Sequence, residues 1–433
     1  MSAGSDQPRV LVETSHALPL VTVTVGSRLG STLDPAGKEG VCRLTARLVR
    51  RTAGGQSPEV IDERIDALGG ALGVDTGVST VTLGGTVIAR SLEPFAELVL
   101  GALGDPGLAT EELDRLVRET RAELVEARDH DKSLADRWFR RRLYEGHPYA
   151  RPTSGTDHSL RSVERRDVVA ARDRHFAREN LVFAFSGAID RDRAERLAER
   201  LAGAAPPGPP PPDPTPEPEP VPGRRLLVVD KPERTQTQIL IGCLGTLPAD
   251  PDHLALHVGS TIFGGTFTAR LMHEVRVKRG WSYGAYAQLP YDRRRRAFSL
   301  WTFPKASDAA ACVALQIDML EKLVAGGVTE KELAWAKRYL VRSNAFSVDT
   351  AQKRVHQALD EAMFDLPPGY HSEYTERVCA VTLDEVNAAL RLRLEPRNLL
   401  VTVVGTAGDL RADLERAIPG LSGVEVVPFD RDA

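Results

Sequence analysis

G-S-T-I-F-G-G-T-F-T-A-R-L-M-H-E-V-R-V-K-R-G-W-S-Y-G-A-Y, residues 259–286, is the stretch around which the rest of the chain is organised. Gly264 and Gly265 open a helical segment, Arg270, Glu274 and Arg276 follow within two turns, and Gly280 stops it before the alternating run Trp281, Tyr283, Ala285. The spacing predicts a loop, a short helix, a stop and a strand. Arg276 then lies near the helix C-terminus and Tyr283 at the start of the strand, so a guanidinium and a phenol can face one cleft. Neither is a metal ligand or a base at neutral pH, but together they can hold a peptide carbonyl and an oxyanion. A plainer reading stands beside this one: an arginine at a basic helix end complements the helix dipole in solvent, and a tyrosine in a strand belongs to the core.

Outward from this stretch, the 433 residues and 42% hydrophobic content exceed one ordinary core, so two or more domains are expected. A net charge of −4 and a pI near 6.2 argue against nucleic acid as the main partner. The basic run Arg293–Arg296 reads as a solvated hairpin tip, because adjacent like charges repel and seek water, the alternative being a contact for an acidic peptide or partner. No apolar run has signal-peptide or membrane-spanning length, so a soluble cytoplasmic protein without membrane partners is expected. Cys42, Cys243, Cys312 and Cys379 are far apart and read as small apolar residues. His253 and His257 have a two-ligand spacing on a helix but no third ligand near them, and no metal is expected there.

In chain order, residues 10–30 give two strands around a turn at His16–Pro19, and helices are expected from Val41 to Arg51, Pro58 to Leu68, Thr110 to about Arg128 and Val163 to Phe176. Gly77–Ala89 and Leu181–Gly187 read as strands, with a helical pattern from Leu92 to Ala102 between them. Residues 205–223, A-P-P-G-P-P-P-P-D-P-T-P-E-P-E-P-V-P-G, form neither helix nor ladder, because proline lacks the donor and fixes φ. This linker separates an N-terminal domain, 1–204, from a C-terminal domain, 224–433. The halves repeat: Val163, Asp167, Val168, Asn180, Leu181 and Gly187 match Val381, Glu385, Val386, Asn398, Leu399 and Gly405 at a constant offset of 218. Two copies of one α+β domain follow, each a mostly antiparallel sheet with helices packed on one face.

With F-G-G-T-F-T-A-R-L-M-H-E-V-R-V-K-R-G-W-S-Y across residues 263–283, the chain resembles the pitrilysin/insulinase-type zinc peptidases, in particular the short mitochondrial-processing-peptidase-like branch. The resemblance covers nearly the whole chain and implies half of a clamshell, with the family's Arg/Tyr pair on Arg276 and Tyr283. Active members carry H-x-x-E-H on the first helix of the N-terminal domain. Here Arg43 and Arg47 stand at the two His positions and Ala46 at the Glu position, while the third ligand falls on Glu123. Arginine keeps its proton, and two guanidinium groups repel a dication, so no metal is expected on this chain.

The resemblance therefore implies a subunit inactive by itself, paired with a homologous H-x-x-E-H-bearing chain that holds the zinc. Arg276 and Tyr283 would bind substrate backbone and stabilise the tetrahedral intermediate, and Gly264 and Gly265 would let a substrate strand approach. The alternative is a catalytically inert scaffold subunit of the same fold. The substrate peptide is left open.

Overall fold

The computed structural model describes residues 8–210 and 212–431. The first half of the chain holds β1 (Arg9–Thr14), β2 (Leu20–Ser27), α1 (Val41–Arg51), α2 (Pro58–Ala67), β3 (Ala71–Thr76), β4 (Val81–Ile88), α3 (Leu92–Gly104), α4 (Thr110–Glu126), α5 (Asp131–Leu143), α6 (Asp157–Ser162), α7 (Arg165–His175), β5 (Leu181–Gly187) and α8 (Arg191–Ala204). The second half holds β6 (Arg224–Asp230), β7 (Gln238–Leu244), α9 (His253–Gly264), α10 (Arg270–Met272), β8 (Ala285–Gln288), β9 (Ala297–Thr302), α11 (Ala309–Gly326), α12 (Glu330–Val348), α13 (Ala351–Met363), α14 (Tyr374–Ala380), α15 (Leu383–Arg393), β10 (Leu399–Gly405), α16 (Ala407–Ala417) and β11 (Leu421–Pro428). The 218-residue offset carries α7 onto α15 and β5 onto β10 residue for residue. Both helices begin with reciprocal capping, Glu164 with Asp167 and Thr382 with Glu385, which satisfies the orphan amides of the first turn.

The strands form two mixed, mainly antiparallel sheets, ordered β1-β5-β2-β4-β3 and β11-β6-β10-β7-β9-β8. Parallel pairing is confined to β1 with β5 in the first, and to β6 with β10 and β11 in the second. The fold is α+β with two homologous domains, as the repeat predicts.

The chain divides into two compact units that are discontinuous in sequence. The first comprises Met1–Leu124, Arg151–Pro214 and Ala345–His371, the second Val125–Ala150, Thr215–Asn344 and Ser372–Ala433. The linker thus separates the strands of the two sheets, but α5 from the first half belongs to the second unit and α13 from the second half to the first. In the first unit Val21, Val23, Val25, Phe183 and Phe185 face the core made with α1, α3, α4 and α8. The alternate residues Val182 and Ala184 meet Val355, Leu359, Ala362 and Met363 of α13. Because side chains alternate across a strand, α13 lies on the opposite face of this sheet. In the second unit α5 runs along β10 and β7, and Phe139 packs where Gly242 has no side chain. Met363 packs on Gly26 of β2 in the same way. The expectation of helices on one face is therefore corrected: each sheet is covered on both.

The proline-rich segment is fixed at both ends. Pro206 accepts from Arg178 N at 2.8 Å within the first unit. In the second unit Arg294 Nε donates to the Thr215 carbonyl at 2.6 Å, and His147 Nε2 lies 2.8 Å from the Pro216 carbonyl. Glu217 and Asp250 pair with Arg295, and Asp292 with Arg296. The basic run is consequently half-buried and ion-paired, not a solvated tip, because the linker brings carboxylates and carbonyls to it.

Candidate functional site

α9 ends at Gly264, where a Cβ would collide with the Ala287 backbone of β8, so the fold itself requires glycine there for close helix–strand packing. Gly265 lies in the exposed turn that follows, which also carries Phe267. α10 then continues into a π-helical turn, His273–Lys278, a wider winding that re-aims the side chains of its last turn. Ser282 shapes the next bend: its hydroxyl donates to the Gly284 carbonyl at 2.6 Å and accepts from Phe303 N at 3.0 Å. β8 begins only at Ala285, so Tyr283 stands in this bend and not in the strand as the alternation suggests. It is 74% exposed, which excludes the reading of a core tyrosine.

The Arg276 guanidinium lies 4.2 Å from the Tyr283 ring centroid and 5.8 Å from that of Phe267. Among the described residues it makes no hydrogen bond or ion pair. Its neighbours differ: Arg270 is held by both oxygens of Glu332 at 2.6 Å, and Glu274 takes Lys278 at 2.5 Å and Arg279 at 2.6 Å. Stacking engages the flat face of a guanidinium and leaves its in-plane N–H donors available. The second unit thus presents a fixed guanidinium and an exposed phenol side by side. Phe267 and Ser282, which hold the pair, carry no sequence signal of their own beyond lying in turns.

In the first unit, Arg43 and Arg47 lie one turn apart on α1 and close on one carboxylate of α4. Arg43 Nη2 reaches Glu123 Oε2 at 3.1 Å, Arg47 binds Glu123 through both oxygens at 2.8 and 3.1 Å, and Arg47 also donates to Thr120 at 3.0 Å. Ala46 is buried, 1% exposed. This guanidinium face continues through Arg50 and Arg51 into a depression bordered by Gly73–Thr76 of the edge strand β3.

A sequence profile of the peptidase M16 inactive domain matches residues 162–340. The crystal structure of a peptidase M16 inactive domain from Pseudomonas fluorescens superposes with a TM-score of 0.86 at 26% identity, covering 93% of this chain and 97% of that one. Over residues 162–340 the chain is thus similar to the peptidase M16 inactive domain, and that similarity extends structurally over nearly its whole length. An uncharacterized zinc protease of Mycobacterium tuberculosis is 26% identical over 410 residues, 93% of this chain and 92% of that protein. A Helicobacter pylori relative described as the non-peptidase homolog YmxG is 20% identical over 396 residues, 91% of each.

The M16 zinc site does not fit the residues that this chain places on α1 and α4. Two guanidinium groups converge on the one carboxylate, no imidazole is present, and the position of the catalytic carboxylate is an alanine turned into the core. An Arg–Glu–Arg cluster replaces metal coordination with ion pairing. The histidines of α9 are equally unavailable: His253 Nδ1 is engaged by Thr246 at 2.8 Å and His257 Nε2 by Tyr374 at 3.1 Å. Burial holds His253 down to about 4 and lowers His257 as well, so both are neutral core residues. Among the described residues, no helix is long and apolar enough to cross a membrane.

Proposed function

We propose that this chain is the subunit without catalytic zinc of a two-chain M16 peptidase, in which a homologous H-x-x-E-H-bearing chain supplies the catalytic zinc and this chain supplies Arg276 and Tyr283 to the bound peptide. The observation that carries the reading is the state of Arg276. Every other arginine of its helix is paired with a carboxylate, whereas Arg276 is stacked, positioned and free to donate. Arg276 binds a substrate carbonyl through its fixed fork, and Tyr283 donates to the oxyanion that forms when the zinc-activated water attacks. Both roles need an exposed surface, and Tyr283 has it. Gly265, in the turn beside Phe267, is required by the chain's own packing, since a Cβ there would collide with Thr261 of α9.

A second reading, an inert scaffold of the same fold, is favoured by the relative described as a non-peptidase homolog. The two separate on reconstitution. The purified chain alone is expected to hydrolyse no unstructured fluorogenic peptide, with or without added zinc. Mixed with the homologous H-x-x-E-H chain it is expected to form a discrete complex of about twice the single-chain mass and to raise hydrolysis well above that of the partner alone. A complex in which the partner is no more active than by itself would establish the scaffold reading, and no complex at micromolar concentration would overturn the two-chain reading.

A further inference from the structure

Three buried groups of the first unit have no part in that function. Asp34 follows the short Ser31–Leu33 turn, Cys42 is in the first turn of α1, and His175 is the last residue of α7. A carboxylate oxygen, the thiol sulfur and an imidazole nitrogen lie within 4.8 Å of one another. The residues are 3%, 1% and 1% exposed respectively. We infer that Asp34, Cys42 and His175 form a structural site for a zinc-class dication at the junction of α1 and α7, separate from the Arg43/Arg47 face of α1.

The imidazole gives the first argument. Neither ring nitrogen of His175 makes a hydrogen bond, although the residue is buried. The Leu29 carbonyl lies close enough to favour a ring proton but not at hydrogen-bonding geometry. Buried polar atoms of a native core have partners, and a metal ion is a partner that this ring lacks. The second argument is charge. The Asp34 carboxylate accepts from Gly40 N at 2.8 Å and Cys42 N at 3.0 Å, contacts that fix its orientation. The two nearby guanidinium groups do not pair with it: Arg151 donates to the Asp34 main-chain carbonyl at 2.9 Å and Arg174 to that of Leu33 at 3.1 Å.

Burial therefore acts on all three groups in the same sense. It pushes the Asp34 carboxyl up to about 7, raises the Cys42 thiol well above its usual range and pulls His175 down to about 4. Each is driven to its uncharged form, and a dication reverses that balance for the carboxylate and thiol while taking neutral imidazole as it stands. The α1 N-terminus favours the thiolate and the carboxylate further. One nitrogen, one sulfur and one oxygen are a set that suits zinc, with a water or main-chain carbonyl in the fourth position. Binding releases the Cys42 proton, and any on Asp34, to solvent. Bonds of about 2.0–2.3 Å need the ligand atoms, which lie within 4.8 Å of one another, to close to roughly 3.5 Å when the ion binds.

The full chain expressed in cobalt-supplemented medium provides the test. The expected result is about one cobalt per chain with thiolate-to-cobalt charge-transfer absorption, displaced by zinc. Cys42→Ser should abolish that absorption, while Cys379→Ala, at an exposed cysteine, and Glu123→Gln should keep it. Folded wild-type chain without the absorption would overturn the site, a result that depends on no variant. So would a metal that survives Cys42→Ser and is lost in Glu123→Gln, which would put it on α1 beside Arg43 and Arg47.

Discussion

Whether an arginine can serve a ligand depends on the carboxylates within its reach, and the helix from Arg270 to Lys278 contains both outcomes. Arg270 is engaged by Glu332, whose carboxyl is lowered to about 2 by the Arg270 hydrogen bonds, with burial opposing and the Thr329 amide and hydroxyl assisting. The unfolded chain takes up that proton near 4.5, so this pair stabilises the fold fully above that pH and the contribution is lost as pH falls toward 2. Glu332→Gln should lower stability at neutral pH and flatten the loss of stability between about pH 4.5 and 2, read by denaturant unfolding across that range. An unchanged pH dependence would mean that the pair does not couple to folding. At this scale the sequence is readable where the resemblance supplies a register: the H-x-x-E-H alignment points to Arg43, Ala46 and Arg47 and the family's third-ligand position to Glu123, and the two arginines of α1, the helix that also carries the buried Ala46, pair with Glu123. Phe267 is not readable in this way, because an aromatic in a glycine turn has no periodic signature, and neither is Ser282, which shapes the bend that carries Tyr283.

At the scale of elements, α1, β1, β2, α7 and β5 follow from periodicity, capping and turn residues in the sequence. The exchange of α5 and α13 between the units does not. The α5 sequence, D-K-S-L-A-D-R-W-F-R-R-R-L, has an apolar stripe of Leu134, Ala135, Trp138, Phe139 and Leu143, all buried. Periodicity indicates that such a stripe is covered but not which sheet covers it. The choice is made by complementary shape: Gly242 admits Phe139, and Gly26 admits Met363 at the equivalent place in the other repeat. Phe139→Ala should therefore destabilise the protein by about 3–5 kcal/mol through a cavity over β7, measurable by chemical denaturation. A loss under about 1 kcal/mol would show that α5 is not a structural part of the second unit. β3 also escaped the sequence reading, because Ala71–Thr76 is short and carries glycine and aspartate within it, as edge strands can.

For the whole molecule, the 218-residue repeat and the proline-rich linker made the two-domain α+β plan legible, and an M16 inactive-domain structure shares that plan over 93% of the chain. The two homologous domains carry different clusters: the first an Arg–Glu–Arg cluster on α1 and α4, and the second an exposed Tyr283 beside Arg276, held in place by the fold without use of their donors. The proposal that these donors act on a substrate cleaved by a partner chain is tested most directly by steady-state kinetics of Tyr283→Phe in the reconstituted pair. Removing an oxyanion donor costs about 10²–10³ in rate, so kcat should fall by about that factor with peptide affinity little changed, the partner's zinc retained and Lys331→Ala as an unaffected control. A kcat within about twofold of wild type, with the complex intact and zinc in place, would contradict the catalytic role of the pair.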